Sequence, residues 1–248
     1  MRVIITENYE EMSRVAADII IDIVKNNPEA VLGLATGSSP IGTYDNMVKD
    51  HLENGTSYKN VKTVNLDEYV TLAPDHDQSY AYFMRKNLFD RVDIDLANTN
   101  LPSGIAKCAQ AECDRYNALL DTMKQDIQLL GLGSNGHIGF NEPGTPFGSV
   151  THLVDLTENT IKDNSRLFAD INDVPRQALS MGIKNIMQAK SVLMVVSGAN
   201  KADAVYGMVK GEVTPDLPAS VLQLHPNVTI VCDKAAASLL SAVMLQPT

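Results

Sequence analysis

The chain has 248 residues, of which 44% are hydrophobic, enough to bury a substantial core within one domain. Its 30 acidic residues against 20 basic give a formal net charge of −10, and no basic stripe interleaved with aromatics occurs, so no nucleic-acid partner is expected. No stretch approaches the roughly 20 uninterrupted apolar residues that a bilayer span requires, and MRVIITENYEEM lacks a signal peptide's basic-then-apolar layout; no membrane association and a cytoplasmic location are expected.

Taken in chain order, short β-rich apolar runs alternate with amphipathic segments, the pattern of βα units around a mostly parallel sheet. Strands are predicted at 2–5, 30–34, 62–66, 127–132, 191–196 and 229–231, with a more polar strand at 151–156 placed at an edge. Helices are predicted at 8–25, 40–54, 79–89, 106–124, 159–168, 175–187, 201–210 and 235–245. The expected fold class is therefore α/β: a single Rossmann-like domain spanning 1–248, its mostly parallel sheet flanked by helices. The polar, turn-rich stretch at about 145–174 is read as a flap over the active site. Cys108, Cys113 and Cys232 lack paired metal spacing and are expected to be reduced thiols, the first two on one helix.

In such sheets ligands bind beyond the carboxyl ends of the strands, so the residues after each strand carry the search. The acidic surface would repel an anionic metabolite at long range, so a phosphate site must be built locally, from backbone donors and one or two placed cations. After the second strand, Thr36, Gly37, Ser38 and Ser39 lead into Pro40, with Ser39 the expected N-cap of a helix whose start offers N–H groups to an anion. The same residues also suit an ordinary cap. They form neither a Walker loop, which needs a lysine, nor a dinucleotide fingerprint.

After the third strand, Asp67 and Glu68 follow at once, and one of them should point into the cleft. Asp67 either caps a turn or serves as a carboxylate base, ionised at neutral pH with an ordinary pKa near 4. The Asp75, His76, Asp77 cluster is read as a solvated turn, with Asp77 starting the next helix. The fourth strand runs into GLGSNGHIGFNEPG, where His137 stands between Gly136 and Gly139 on a backbone free to turn its ring toward a ligand. Glu142, held before Pro143, can fold back onto that imidazole, fix its tautomer and favour its protonated form. Zinc would need a third ligand or an HExxH motif, and neither is evident. After the fifth strand, SGANKADAV places Lys201 in the first turn of a helix, the wrong end for a cation unless an anion binds there. Arg166, in DNSRLF, is the second candidate cation.

Through LGLATGSSP, NLDEY, SYAYFM, GLGSNGHIGFNEPG, NSRLF, SGANKA and LQLHPNVTIVCD, in that order, the sequence closely resembles the glucosamine-6-phosphate deaminases over nearly its whole length. The resemblance implies conversion of glucosamine 6-phosphate and water to fructose 6-phosphate and ammonia, without cofactor or metal, as a step of amino sugar catabolism; a monomer or small homo-oligomer is expected. It implies that His137 opens the pyranose, that Asp67 moves a proton from C2 to C1, and that Glu142 orients and charges His137. It further implies that Gly37, Ser38, Ser39, Arg166 and Lys201 hold the phosphate.

Two departures stand out. Asn135 occupies a position where certain members carry aspartate, so His137 should depend more on Glu142. His152 and Val154 stand where the larger allosteric members carry basic residues, and the chain stops at Thr248; no activation by N-acetylglucosamine 6-phosphate is expected. The competing readings are a lactonase on the same fold, which needs no base aimed at C2, and a non-catalytic sugar-phosphate sensor, which should carry a helix-turn-helix segment and could dispense with the acid and base. The presence of Asp67, His137 and Glu142 together weighs against both.

Overall fold

The computed structural model describes residues 1–158, 161, 168 and 170–240. Seven parallel strands form the main sheet: β1 (Arg2–Thr6), β2 (Val31–Leu34), β3 (Lys62–Asn65), β5 (Thr99–Asn100), β6 (Ile127–Gly131), β9 (Val192–Val196) and β10 (Val228–Asp233). Their spatial order is β1-β10-β9-β6-β2-β3-β5. Leu129, Leu130, Leu193, Met194, Val195, Ile230 and Val231 are all buried, the continuous apolar runs of strands covered on both faces.

Flanking this sheet are α1 (Tyr9–Asn26), α2 (Ile41–Asn54), α3 (Tyr80–Asn87), α4 (Ala109–Thr122), α5 (Ile183–Met187) and α6 (Ala202–Lys210). In α1 the residues Met12, Ala16, Ala17, Ile20, Ile21 and Val24 recur at helical spacing and are buried. Asn8 Oδ1 accepts the Glu11 amide at 2.9 Å and caps its start. The α2 helix stops at Gly55, whose φ of 73° is the left-handed turn that glycine adopts without strain.

A second, three-stranded antiparallel sheet has the order β4-β8-β7, built from β4 (Asp67–Tyr69), β8 (Gln177–Ser180) and β7 (His152–Asp155). The expected polar edge strand is thus β7, at the margin of this sheet. The expected helix at 175–187 is corrected: its first half is β8, and only Ile183–Met187 is helical. An apolar run as short as QALS does not separate strand from helix by period, and pairing with strands on both sides decides it. Neither β4 nor the two-residue β5 was legible as a strand. The predicted helix at 159–168 falls largely on residues outside those described, and of 235–245 only the first residues are described, where Ser238–Leu240 begin a helix after a turn.

Candidate active site

The order of the main sheet reverses between β2 and β6, the strands from which the chain runs outward in opposite directions. At that switch point lies a cavity of about 350 Å³, lined by Thr36, Gly37, Ser38 and Ser39 after β2, Asp67 of β4, Tyr80 of α3, Gly133, Ser134, His137 and Phe140 after β6, and Lys201 before α6. Loops from four sequence-distant junctions therefore meet at one hollow. Larger open grooves beside Phe89 (about 640 Å³) and Glu10 (about 780 Å³) do not join a carboxylate to an imidazole.

Asp67 and Glu68 point apart, as successive residues of a strand must. Glu68 accepts backbone N–H bonds from Tyr69, Tyr80 and Ala81 at 2.8 to 2.9 Å, and so serves the start of α3. Asp67 is left to face the cavity at 6% exposure. Its expected ordinary acidity is corrected: burial, then the neighbouring Glu68 carboxylate, pushes it up to about 8. The low-dielectric floor that makes Asp67 a cavity residue is what disfavours its charge, and its sequence gave no measure of that floor.

The glycine loop holds the imidazole. Gly133 lies under the His137 ring so closely that a Cβ there would come within 2.5 Å of three ring atoms. The Gly133 amide donates to His137 O at 2.9 Å and closes the loop on itself. His137 Nδ1 is buried 3.4 Å from Glu142 Oε1, a contact without the alignment of a full hydrogen bond. Asn135 ties both ends: its Nδ2 donates to Glu142 Oε2 at 2.7 Å, and its Oδ1 accepts the His137 amide at 3.2 Å. The His137 contact, then its charge, and the Asn135 bond hold the Glu142 carboxyl below the usual glutamate range against the opposing effect of burial. Asn135 and Glu142 thus stand behind His137 rather than on the cavity wall.

On the same cavity, the amides of Gly37, Ser38 and Ser39 donate to no acceptor among the described residues. Ser39 is not the N-cap; the helix begins after Pro40, and its start is met instead by Tyr9 of α1, whose hydroxyl accepts the Gly42 amide at 2.9 Å and donates to Ser38 O at 3.0 Å. Capping from another helix leaves no local sequence signature. Lys201 has no ion-pair partner among the described residues, and burial draws its pKa down. The turn before it is fixed by Asp233, which accepts from Ser197 Oγ at 2.5 Å and from the Gly198 amide at 3.1 Å. Arg166 lies outside the described residues.

Asp75, His76 and Asp77 are an exposed turn, but the helix begins at Ser79, whose Oγ accepts the Tyr82 amide, rather than at Asp77. Cys108 is exposed at the position just before α4 and makes no side-chain cap, so only Cys113 lies within the helix, where it is buried; all three cysteines are free. No group of three or more His, Cys, Asp or Glu suited to a metal ion exists among the described residues. No described helix is long and apolar enough to cross a membrane. Sequence reasoning missed Tyr80 and Phe140, which stack with planes 13° apart and join Tyr69 in an aromatic wall. Their apolar neighbours in SYAYFM and HIGF mark them as core, and only the fold shows them beside the cavity.

A doubly wound parallel sheet whose switch point carries an anion-suited turn, a lysine, a buried carboxylate and an imidazole defines a protein built to handle a small phosphorylated metabolite. The chain belongs to the family of glucosamine-6-phosphate isomerases and 6-phosphogluconolactonases, whose model matches residues 6–231. It is 53% identical over 240 residues to a glucosamine-6-phosphate deaminase of Geobacillus sp. (strain WCH70), covering 96% of each chain. It is 49% identical over 241 residues to that of Clostridium perfringens, covering 97% of this chain and 100% of the other. Among solved structures it is similar to a monomeric glucosamine-6-phosphate deaminase, with a TM-score of 0.94 and 47% identity over 96% of this chain and 100% of that one. A 6-phosphogluconolactonase from Trypanosoma brucei, 20% identical over 96% of this chain and 98% of that one, with a TM-score of 0.78, shares the fold.

Proposed function

We propose that the protein converts glucosamine 6-phosphate and water to fructose 6-phosphate and ammonia. The observation that carries this reading is the meeting of Asp67, His137 and Lys201 around one sugar-sized cavity. Lys201, the turn Gly37, Ser38 and Ser39, and Arg166 hold the phosphate, so that binding energy spent at a remote group sets C1 and C2 against the reacting side chains.

His137, charged and oriented by Glu142 and by Asn135 behind it, protonates the ring oxygen and opens the pyranose. Asp67 takes the C2 proton, leaving an enediolamine, and returns that proton to C1. This leaves an imine at C2, which water hydrolyses with loss of ammonia. A carboxyl poised at about 8 suits a group that must take a proton from carbon and keep it until C1 is ready. A protonated amine on C2 of the substrate brings positive charge beside Asp67 and favours the ionised base on binding. The stretch at 145–174 acts as a flap that shields the intermediate from water.

Lactone hydrolysis needs an activated water but no base aimed at carbon, and a buried Asp67 on the cavity floor has no task in it. The reading places the protein in the cytoplasm, in amino sugar catabolism, working as one α/β domain without nucleic acid. Its similarity to a monomeric deaminase favours a monomer over a small homo-oligomer. The test is to incubate the purified protein with glucosamine 6-phosphate and follow ammonia and fructose 6-phosphate together. Equal release of the two is expected; hydrolysis of a 6-phosphogluconolactone with no ammonia formed would overturn the assignment.

A further inference from the structure

The loop that carries His137 and Glu142 leans on a turn some eighty residues later, at 214–220. Leu217 is the point of contact: its side chain packs against Gly136, where a Cβ would come within 2.7 Å of Leu217 Cγ, and against Gly207 of α6, where a Cβ would lie 3.2 Å from Leu217 Cδ2. Gly136 has φ of 85° and precedes His137 directly. Two backbone hydrogen bonds bracket this wedge: the Ala219 amide donates to Gly136 O at 2.9 Å, and the Gly144 amide donates to Pro215 O at 2.9 Å. One lies immediately before His137, the other two residues after Glu142.

The turn is itself rigid. Ser220 is fully buried; its hydroxyl accepts the Thr214 amide at 2.9 Å and donates to Thr214 O at 3.0 Å, pinning the two ends of the turn together. Pro215 and Pro218 remove further freedom. The same leucine also touches the helix that begins one residue after Lys201, so the imidazole side and the lysine side of the cavity share one apolar spacer.

We infer that Leu217, seated on the 214–220 turn, is a positioning residue that holds His137 and Glu142 at their working separation. The inference rests on the deaminase reading for its consequence in turnover, though not for the contact itself. The charged groups around the pair are Asp67 of β4 and Lys201 before α6, which face the same cavity, and the turn adds Asp216, which is exposed. None of these changes when Leu217 is shortened. What changes is the freedom of the backbone at Gly136 and Gly144.

The experiment compares Leu217→Ala, Leu217→Met and, as a control on the same segment, exposed Leu224→Ala. A wild-type turnover of glucosamine 6-phosphate is measured first, so that a failed functional reading is seen before any variant is judged. In Leu217→Ala, kcat should fall about ten- to a hundred-fold with KM nearly unchanged, as a displacement near 1 Å remote from the reacting atoms does. The acid limb of the pH profile should move up as Glu142 loses its imidazole contact. Leu217→Met, which keeps the volume, should restore most of both, and Leu224→Ala should alter neither.

Carboxyl-carbon NMR of Glu142 reads the same shift without any substrate, and expects a higher titration midpoint in Leu217→Ala. A lowered melting temperature with kcat per folded molecule, pH profile and Glu142 midpoint all unchanged would overturn the inference and leave Leu217 as packing only.

Discussion

Glu142 Oε1 lies 3.4 Å from His137 Nδ1, while Oε2 of the same carboxylate accepts a 2.7 Å hydrogen bond from Asn135. One carboxylate is shared between an imidazole on one oxygen and an amide that holds the other still. Because Asn135 is neutral, it steadies Glu142 without competing for its proton.

Replacing the amide by a second carboxylate should disturb that arrangement. In Asn135→Asp, two like charges would stand within hydrogen-bond distance, so the Glu142 carboxyl should rise from its present depressed position. The acid limb of kcat/KM should move to higher pH. Glu142→Gln should cost more, about a hundred-fold in kcat, because the imidazole then loses its counter-charge. The linkage has a definite sign: a depressed carboxyl stabilises the folded state fully above the ordinary glutamate value of 4.5 and loses this as pH falls through the lower folded value. Urea titrations of wild type and Glu142→Gln should therefore converge on acidification; a constant gap down to pH 3 would contradict this.

Asp67 has the opposite sign. Its folded value of about 8 lies above the ordinary 3.8, so the protonated form contributes stability that is complete below 3.8 and is lost as pH rises through 8. Asp67→Asn should be more stable than wild type at pH 8 by on the order of a few kcal/mol, while losing exchange of the substrate C2 hydrogen with solvent and keeping sugar-phosphate binding. Retained exchange would remove Asp67 as the base, and an unchanged melting temperature at pH 8 would remove the penalty.

The loop glycines are open to a direct steric test. Gly133→Ala would force a methyl to within 2.5 Å of the His137 ring, and should lower kcat by about a hundred-fold as the imidazole swings aside. Gly148→Ala, where an added Cβ meets nothing within 4 Å, is the control and should behave as wild type. Steady-state kinetics on the pair reads the difference.

Lys201 gives a test that needs no turnover. It stands on the cavity wall with burial opposing its charge and no ion-pair partner among the described residues, so a bound phosphate should stabilise the wild type measurably. Inorganic phosphate should raise the melting temperature of the wild type but not of Lys201→Gln, and the variant's KM for glucosamine 6-phosphate should rise at least ten-fold. Equal stabilisation of both proteins would place the anion elsewhere.

Most of the parallel sheet could be read from the sequence because β6, β9 and β10 are built on apolar runs and α1 and α2 show helical spacing, whereas the two-residue β5 could not. The cavity-lining residues Gly37, Asp67, His137 and Lys201 could be singled out because they follow strand ends, where this architecture puts ligands. Of the second sheet only the edge strand β7 was legible: DEY and QALS are too short and too mixed to show a period, and they become strands by pairing with each other and, for QALS, with β7. Nor was the acidity of Asp67 legible, since it depends on what covers the carboxyl rather than on its neighbours in the chain. The Tyr9 hydroxyl at the start of α2 and the Leu217 wedge share this trait, being contacts between segments that no local pattern announces.

The antiparallel ribbon has a consequence for how the sequence can drift. Asp67, Ser180 and His152 form one row across β4, β8 and β7, and the Ser180 hydroxyl accepts the Phe140 amide at 3.1 Å. Side chains along a strand alternate, so inserting or deleting a single residue within 177–180 would present the wrong face to that row. The number of residues in β8 is therefore held by the row it must complete, as firmly as a side chain is held by its contacts.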